Sequence, residues 1–491
     1  MQRRSTRVAA TLAAGLIGFG LAAPVAAVSP VVLASPGPSP FIACTADHAA
    51  AQVAAGSVLF PNSEVEPRST IDPTDPLNIV GEYQQDRWDD GGARGLVASV
   101  SHDGGATWNR VVVPKITNCS GGAFDRASDP WVSFAPNGDL YAISLSFDVF
   151  DTHNAILVSK STDGGDTWGD PIAVTADDTN GLDKESITAD PLDANLVYAT
   201  WDRVLTPGGS LHASDQGVIH SRSFKSQTFF ARSIDGGETW EAPRQLFVET
   251  SFSGSIGGMI RVLPDGTLLD GLQTYGSAAW KGGPCGSVSM LRSADGGQHW
   301  SSKPTIVSPF SCTYGGAHDP DTGAQIRSGG LPDFAVDGTT VYAAWEDALP
   351  AAPRIGRILF SQSSDGGLTW STPVAISKTP AGIDAFIPTI AVNASHAVGV
   401  SYYDFRANTP APGADTDVWL VRCTSTCTNP AQWSETQVAG PFDIEQAPDA
   451  RGLFVGDYEG MTTSGTAFQP FFVQAVQAPA NPTDAYFSSI P

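Results

Sequence analysis

Apolar and polar residues alternate along this chain in short runs, separated by breaks rich in Gly, Asp and Pro. Ala155-Ile-Leu-Val-Ser-Lys160 and Arg357-Ile-Leu-Phe-Ser361 are typical runs. Such runs predict β-strands, and the breaks between them predict tight turns. Pro136-Asn-Gly-Asp-Leu-Tyr141 and Pro264-Asp-Gly-Thr-Leu-Leu269 read as turns feeding a second strand. The one long apolar run, Val8 to Val28, follows Arg3, Arg4 and Arg7 and ends in the small residues Val25-Ala26-Ala27. That order predicts an export signal over 1–27, followed by a Pro/Ala-rich linker over 28–50. A membrane-anchor helix is the alternative reading, opposed by Pro24 and the Pro-rich stretch Ser29 to Pro40.

One octapeptide recurs five times: Ser101-His-Asp-Gly-Gly-Ala-Thr-Trp108, Ser161-Thr-Asp-Gly-Gly-Asp-Thr-Trp168, Ser233-Ile-Asp-Gly-Gly-Glu-Thr-Trp240, Ser293-Ala-Asp-Gly-Gly-Gln-His-Trp300 and Ser363-Ser-Asp-Gly-Gly-Leu-Thr-Trp370. The starts are 60, 72, 60 and 70 residues apart, which predicts repeated units with loops of unequal length. Asp-Gly-Gly supplies the positive φ angles of a hairpin turn, and the Asp carboxylate can accept N–H bonds across it. Trp then opens the next strand and can pack on a neighbouring unit. Asp103, Asp163, Asp235, Asp295 and Asp365 are therefore read as structural.

The octapeptide resembles the Asp-box, or bacterial neuraminidase repeat, of sialidase-like β-propellers. The resemblance implies an all-β fold, a single β-propeller of four-stranded blades over 51–491. It also implies that each box joins the third and fourth strands of a blade, on the face away from the active site. Seven segments read as innermost strands, starting near Glu66, Asp129, Lys184, Gly257, Leu331, Ile387 and Gly456. Their fifth column is Thr70, Ser133, Thr188, Arg261, Ala335, Ala391 and Gly460, small except for Arg261, as a crowded axis requires. Seven blades are expected, with six as the alternative. Unit six lacks the box and has Cys423-Thr-Ser-Thr-Cys427 in its place. Unit seven ends at Ala485-Tyr-Phe-Ser-Ser-Ile-Pro491, one strand short, and Gly56-Ser-Val-Leu-Phe60 is expected to supply that strand.

Composition narrows the partners. The chain has 491 residues with 27 Lys+Arg against 51 Asp+Glu, a formal charge of −24. Nucleic acid and anionic membrane are excluded as default partners, and a monomer is expected. Six Cys in an exported chain permit three disulfides, and proximity suggests Cys423–Cys427 and Cys285–Cys312, leaving Cys44–Cys119. No spacing predicts a zinc site.

In a four-stranded blade, the start of the first strand and the second-to-third loop share one face. The second-to-third loops carry Gln84-Gln-Asp-Arg-Trp88, Trp201-Asp-Arg203, Trp280-Lys281, Trp345-Glu-Asp347 and Tyr402-Tyr-Asp-Phe-Arg406. Aromatics beside acids and arginines suit a carbohydrate site. The resemblance implies a Tyr nucleophile paired with Glu, an Asp acid/base and three Arg on a substrate carboxylate. Candidate catalytic residues are Tyr403, Asp404, Asp129 and Glu66; candidate substrate-binding residues are Arg87, Arg203, Arg261, Arg406, Glu185, Asp333 and Asp457. The family's Arg-Ile-Pro motif is absent: aligning on Pro67 puts Val65 at the Arg position. The inner rim is acidic, which favours a cation or a basic or neutral ligand. Three readings stay open: a secreted sialidase-like glycoside hydrolase without cofactor, a non-catalytic propeller binding a glycan, glycoconjugate or protein, and a surface protein stabilised by calcium.

Overall fold

In the computed structural model, residues 30–205, 225–247, 253–276, 285–328, 330–478 and 480–491 are described. The expected export signal and Trp280-Lys281 lie outside them. The described residues form five four-stranded antiparallel sheets and one eight-stranded sheet. The eight-stranded sheet is two four-stranded arrays joined by one residue pair, Ala93 with Ala127. Within each array the strands follow chain order, first to fourth, except in the last. No helix among the described residues is long and apolar enough to cross a membrane.

The first strands lie side by side. Leu59–Ile71 neighbours Arg126–Phe134, which neighbours Gly181–Ala189; the series continues through Ser253–Val262, Asp333–Asp337, Ala385–Val392 and Gly460–Ser464 and returns to Leu59–Ile71. Arg68, Trp131, Glu185, Met259, Pro332, Pro388 and Tyr458, one from each array, line a narrow chamber between them. Wide aliphatic and aromatic layers fill the spaces between neighbouring arrays, with Trp201, Trp345, Tyr141 and Phe334 fully buried.

The seventh array is completed from the N-terminus, but by Val32–Leu33, not by Gly56–Phe60. Val32 pairs with Phe487 and Leu33 with Tyr486. Leu59 and Phe60 instead open the first strand of the first array, paired with Trp88 and Arg87. They are continuous with that 13-residue strand and have no chain left with which to double back. The stretch from Val32 onward is thus held against the sheets, and the Cys44–Cys119 disulfide fastens it. Cys285–Cys312 and Cys423–Cys427 also form.

The five octapeptides adopt one turn. In the first, Gly105 N–H donates to Ser101 Oγ at 2.9 Å, while Thr107 donates from N (2.8 Å) and Oγ1 (2.6 Å) to the Asp103 carboxylate. These bonds hold the Asp103 carboxyl down at about 2. His299 takes the place of Thr in the fourth copy, bonding Asp295 at 2.7 Å. Gly105 has φ +90°, and a Cβ there would stand 2.1 Å from Phe487; both facts demand glycine. Trp108 packs on Phe471 and Phe487 of the seventh array at 5.5 and 5.3 Å. In the sixth array the Cys423–Cys427 loop replaces the turn, and Trp433 Nε1 donates to Cys427 O at 2.8 Å.

Register separates the two ends of each array. Ile79 pairs with Ser101 at the octapeptide end, and Arg87 pairs with Ala93 at the other. At about 3.3 Å per residue those ends are about 25 Å apart.

Candidate functional site

At the end away from the octapeptides, the first strands share an irregularity. The register breaks between Val65 and Arg68, Ser128 and Trp131, Asp183 and Ser186, Ile256 and Met259, and Phe386 and Thr389. Inside those bulges Glu66, Asp129, Lys184 and Ile387 hold φ between 48° and 55°, and Gly257 holds 71°. L-residues avoid that region, so the same turn recurs in five arrays, strained in four and taken by glycine in the fifth. The bulge re-aims side chains: Asp129 and Lys184, with Asp183 beside them, reach an open cleft of ≈ 680 Å³.

Lys184 is the hub. Its Nζ lies 2.7 Å from Asp457 Oδ2, 2.9 Å from Asp129 Oδ1 and 3.2 Å from Glu66 Oε1. Arg327 grips Asp457 through Nη2 (2.9 Å) and Nε (3.2 Å). Gln84 donates from Nε2 to Glu66 and accepts at Oε1 from Arg87 Nη1 at 2.8 Å. Arg87 and Arg327 both lie over the Phe454 ring, at 5.0 and 4.5 Å.

Burial acts differently on each acid. It pushes the Glu66 carboxyl up to about 8, and Lys184 opposes this without cancelling it. It raises Asp183 as well, with the neighbouring Asp129 charge adding to the effect. Burial also opposes the charge of Asp129 and Asp457, but there the cations win: Lys184 holds Asp129 below its ordinary value, and Arg327 with Lys184 holds Asp457 far below. Arg87 is lowered by burial and by Arg327 only to about 10 and stays charged. At neutral pH, Lys184, Arg87 and Arg327 therefore face two ionised carboxylates, Asp129 and Asp457, with Glu66 mostly protonated and Asp183, at about 7, divided between its two forms. An acidic rim was expected from residue counts; burial, which favours the protonated forms of Glu66 and Asp183, and two cations the count overlooked, Lys184 and Arg327, offset part of that charge, while Asp89, Asp90 and Asp347 also line the cleft.

A second constellation lies in the cleft wall. The Tyr314 hydroxyl donates to Glu346 Oε1, which also accepts from Ser328 Oγ at 2.7 Å, while Ile387 N–H donates to Oε2 at 3.1 Å. Burial is the larger influence on Glu346 and leaves it at about 7.

Of the residues predicted from sequence, Glu66, Arg87, Asp129 and Asp457 come together here. The others do not. Glu185, one step beyond Lys184, lines the axial chamber, because alternate strand residues face opposite ways. Asp333 sits there too, paired with Arg261 at 3.1 Å and Arg68 at 3.4 Å. Arg261 thus spans from the fourth array to the fifth instead of projecting freely. Arg203 pairs with Asp177 at 2.9 Å. Arg406 is held by Asp404 and Glu435 and stacks 3.8 Å from Trp419. Tyr403 is fully buried, donating to Glu459 and accepting from Val473 N at 3.1 Å. The expected clamp of Arg203, Arg261 and Arg406 is not assembled.

Sequence reasoning left Asp183, Lys184, Tyr314, Arg327 and Glu346 out of its candidates, although Glu346 lies in the second-to-third loop Trp345-Glu-Asp347 that it singled out. Tyr314 and Arg327 lie in the long connection between the fourth and fifth arrays, which no repeat aligns; Lys184 stood in the column that also gave Glu66 and Asp129. Among the described residues, the one group with metal-ligand spacing is Cys44, Asp47 and Cys119. Both sulfurs are spent in a disulfide and Asp47 is bound to Arg94, so it has no free ligand set.

No family model and no curated protein sequence matches the chain. Solved structures do. The chain is similar to sialidases and an α-L-arabinanase. The Hadza microbial sialidase Hz136 is 15% identical, with a TM-score of 0.47 over 84% of this chain and 76% of that one. The Penicillium chrysogenum alpha-L-arabinanase complexed with arabinobiose is 10% identical, with 0.45 over 94% and 98%. The NanB sialidase of Streptococcus pneumoniae (K499G mutant) is 10% identical, with 0.43 over 88% and 94%. At these scores nothing about the site follows from the likeness.

Proposed function

We propose that this chain is a secreted seven-bladed propeller that cleaves glycosidic bonds in its cleft, as a monomer acting on a glycan or glycoconjugate. The observation that carries the reading is the hydrogen bond from Tyr314 to Glu346, in the wall of a cleft whose floor holds Asp183 and Asp129. A phenol bonded to a buried carboxylate is a nucleophile with its base in place. Two adjacent acids whose surroundings push their affinities for protons apart divide acid from base. Seven arrays whose first strands return on themselves support the blade count. Three disulfides and the Arg3-Arg4-Arg7 start support export.

In this reading the Tyr314 oxygen attacks the anomeric carbon and passes its proton to Glu346. The bond to the leaving oxygen breaks as Asp183 protonates it. Water then cleaves the tyrosyl adduct, giving its proton back to Asp183, and Glu346 returns the proton to the Tyr314 oxygen. Arg87 and Arg327 face the substrate. These two guanidinium groups give an anionic sugar cations to meet. The sialidase-type reading is thus kept, on residues other than Tyr403, Asp404 and Arg406.

The test is turnover of fluorogenic sialosides and uronides against neutral arabinosides. Tyr314→Phe and Asp183→Asn should each lower kcat by about 10²-fold or more. Wild-type turnover by Tyr314→Phe would remove the nucleophile. A glycan-binding propeller without catalysis is the second reading. It is favoured by one observation: Asp457 already occupies Arg327, and Asp129, Asp457 and the carboxyl of Glu66 already surround Lys184. Glycan binding with no turnover on the whole panel decides for it.

A further inference from the structure

The wall that carries Tyr314 crosses a seam. It runs from Phe310 to Gly316, between the fourth strand of the fourth array (Thr305–Pro309) and the fifth array. Phe310 N–H donates back to Gly286 O of the fourth array at 2.9 Å; beyond it the hydrogen bonds go forward, to the fifth array: Ser311 N–H donates to Asp347 Oδ2 at 3.0 Å, Thr313 Oγ1 to Pro353 O at 2.8 Å, and Tyr314 to Glu346. Its covalent bond goes back: Cys312 is joined to Cys285, which lines the same cleft just before the third strand of the fourth array. Gly315 and Gly316 follow at once, and Gly316 has φ +101°. Two glycines leave the chain beyond Tyr314 with little stiffness of its own. Cys312 is exposed, whereas Cys44, Cys119 and Cys285 are half-buried and Cys423 and Cys427 are buried.

We infer that the Cys285–Cys312 disulfide is a positioning pair: it fixes the cleft wall that presents Tyr314, and reduction by a dithiol releases that wall while the sheets stay folded. A reagent thiolate attacks the exposed Cys312 sulfur and expels the Cys285 thiolate, which takes up a proton. The second thiol of the reagent then displaces Cys312. Two cysteine thiols and one cyclic oxidised reagent result, a transfer of two electrons and two protons. The disulfide bridges 27 positions of sequence and pins a segment whose other anchors are a few hydrogen bonds. The importance of the wall for turnover rests on the reading of Tyr314 given above; its fastening does not.

Amide exchange on the full chain tests the fastening without any substrate. In the folded Cys285→Ser/Cys312→Ser double variant, the Ser311 amide should exchange at least tenfold faster than in the wild type, with Ile143 and Leu145 in the second array unchanged. A Cys423→Ser/Cys427→Ser variant, altered at the opposite end of the sixth array, should leave the Ser311 rate as it was. Should the first variant fail to fold, the native protein is treated with dithiothreitol and alkylated in timed samples; Cys312 and Cys285 should be labelled before the other four cysteines, and Ser311 exchange should accelerate in step. Unchanged Ser311 exchange once that bond is open overturns the proposal. On any glycoside whose turnover Tyr314→Phe abolishes, opening the bond should lower kcat at least tenfold, and unchanged kcat there also overturns it. Full turnover by Tyr314→Phe in the intact protein instead strikes the nucleophile assignment, and the exchange rates alone then decide.

Discussion

Lys184 holds both oxygens of Asp129. Its Nζ lies 2.9 Å from Oδ1 and its own backbone N–H donates to Oδ2 at 3.2 Å. One residue of the third array thereby fixes one carboxylate of the second, and it can do so because its φ of 49° turns its amide and side chain toward the same neighbour. The same ammonium reaches Glu66 in the first array and Asp457 at the start of the seventh, so this cation ties four arrays together.

Lys184→Met should therefore be severely destabilising. Removing one partner of a buried ion pair costs about 3–5 kcal/mol, because the charges left behind have no counterion. Chemical denaturation at pH 8 should show a loss in that range and a smaller loss at pH 5, where Glu66 and Asp183 are protonated while Asp129 and Asp457 stay ionised. A loss below about 1 kcal/mol at pH 8 would show that the carboxylates do not depend on the lysine.

Turnover, once a substrate is in hand, should follow a bell in pH. Glu346 must be ionised to accept the Tyr314 proton, so the rate rises as pH climbs through about 7. Asp183 must be protonated to assist the leaving oxygen, so the rate falls as that raised group loses its proton. Glu346→Gln should remove the rising limb. A rate independent of pH between 5 and 9 contradicts both roles.

Asp270 is fully buried, and burial raises its carboxyl to about 8 from the ordinary 3.8. Between those values the unfolded chain releases the proton and the folded chain keeps it, so stability falls as pH rises. Asp270→Asn, which cannot ionise, should raise the melting temperature most at pH 9, less at pH 5, and hardly at all near pH 3. An equal shift at all three values would mean that Asp270 is not held protonated.

Asp103→Ala should cost about 1–2 kcal/mol, the loss of bonds that close a turn. It should leave the cleft untouched, since the register puts Ser101 and Arg87 at opposite ends of the same array. Altered ligand affinity at unchanged stability would break that separation.

The five turns were readable because their chemistry is local. Asp103 bonds residues four positions away, and no distant partner is needed to predict it. The disulfides were readable for a related reason: two pairs were close in sequence, and the third followed from the two cysteines left over. Arg406 shows where such reasoning stops. Its aromatic and acidic neighbours in sequence are also its partners in space, Tyr402 and Asp404, so a segment that looked like a site is a satisfied ion pair. Tyr403 reads equally well as site or core until its burial is known.

By itself the sequence determined the strand pattern, the repeated turn, the seven first strands and the end of the arrays at which the buried charged side chains cluster. Each of these depends on residues within a few positions of one another. Tertiary structure decided which strand completes the seventh array, because Val32–Leu33 and Thr483–Phe487 are separated by nearly the whole chain. It also decided the charge of the cleft. Glu66, Asp129, Lys184, Arg327 and Asp457 come from five separate stretches. Whether each carries a proton depends on burial and on cations supplied by the others, and neither is written in any one of those stretches.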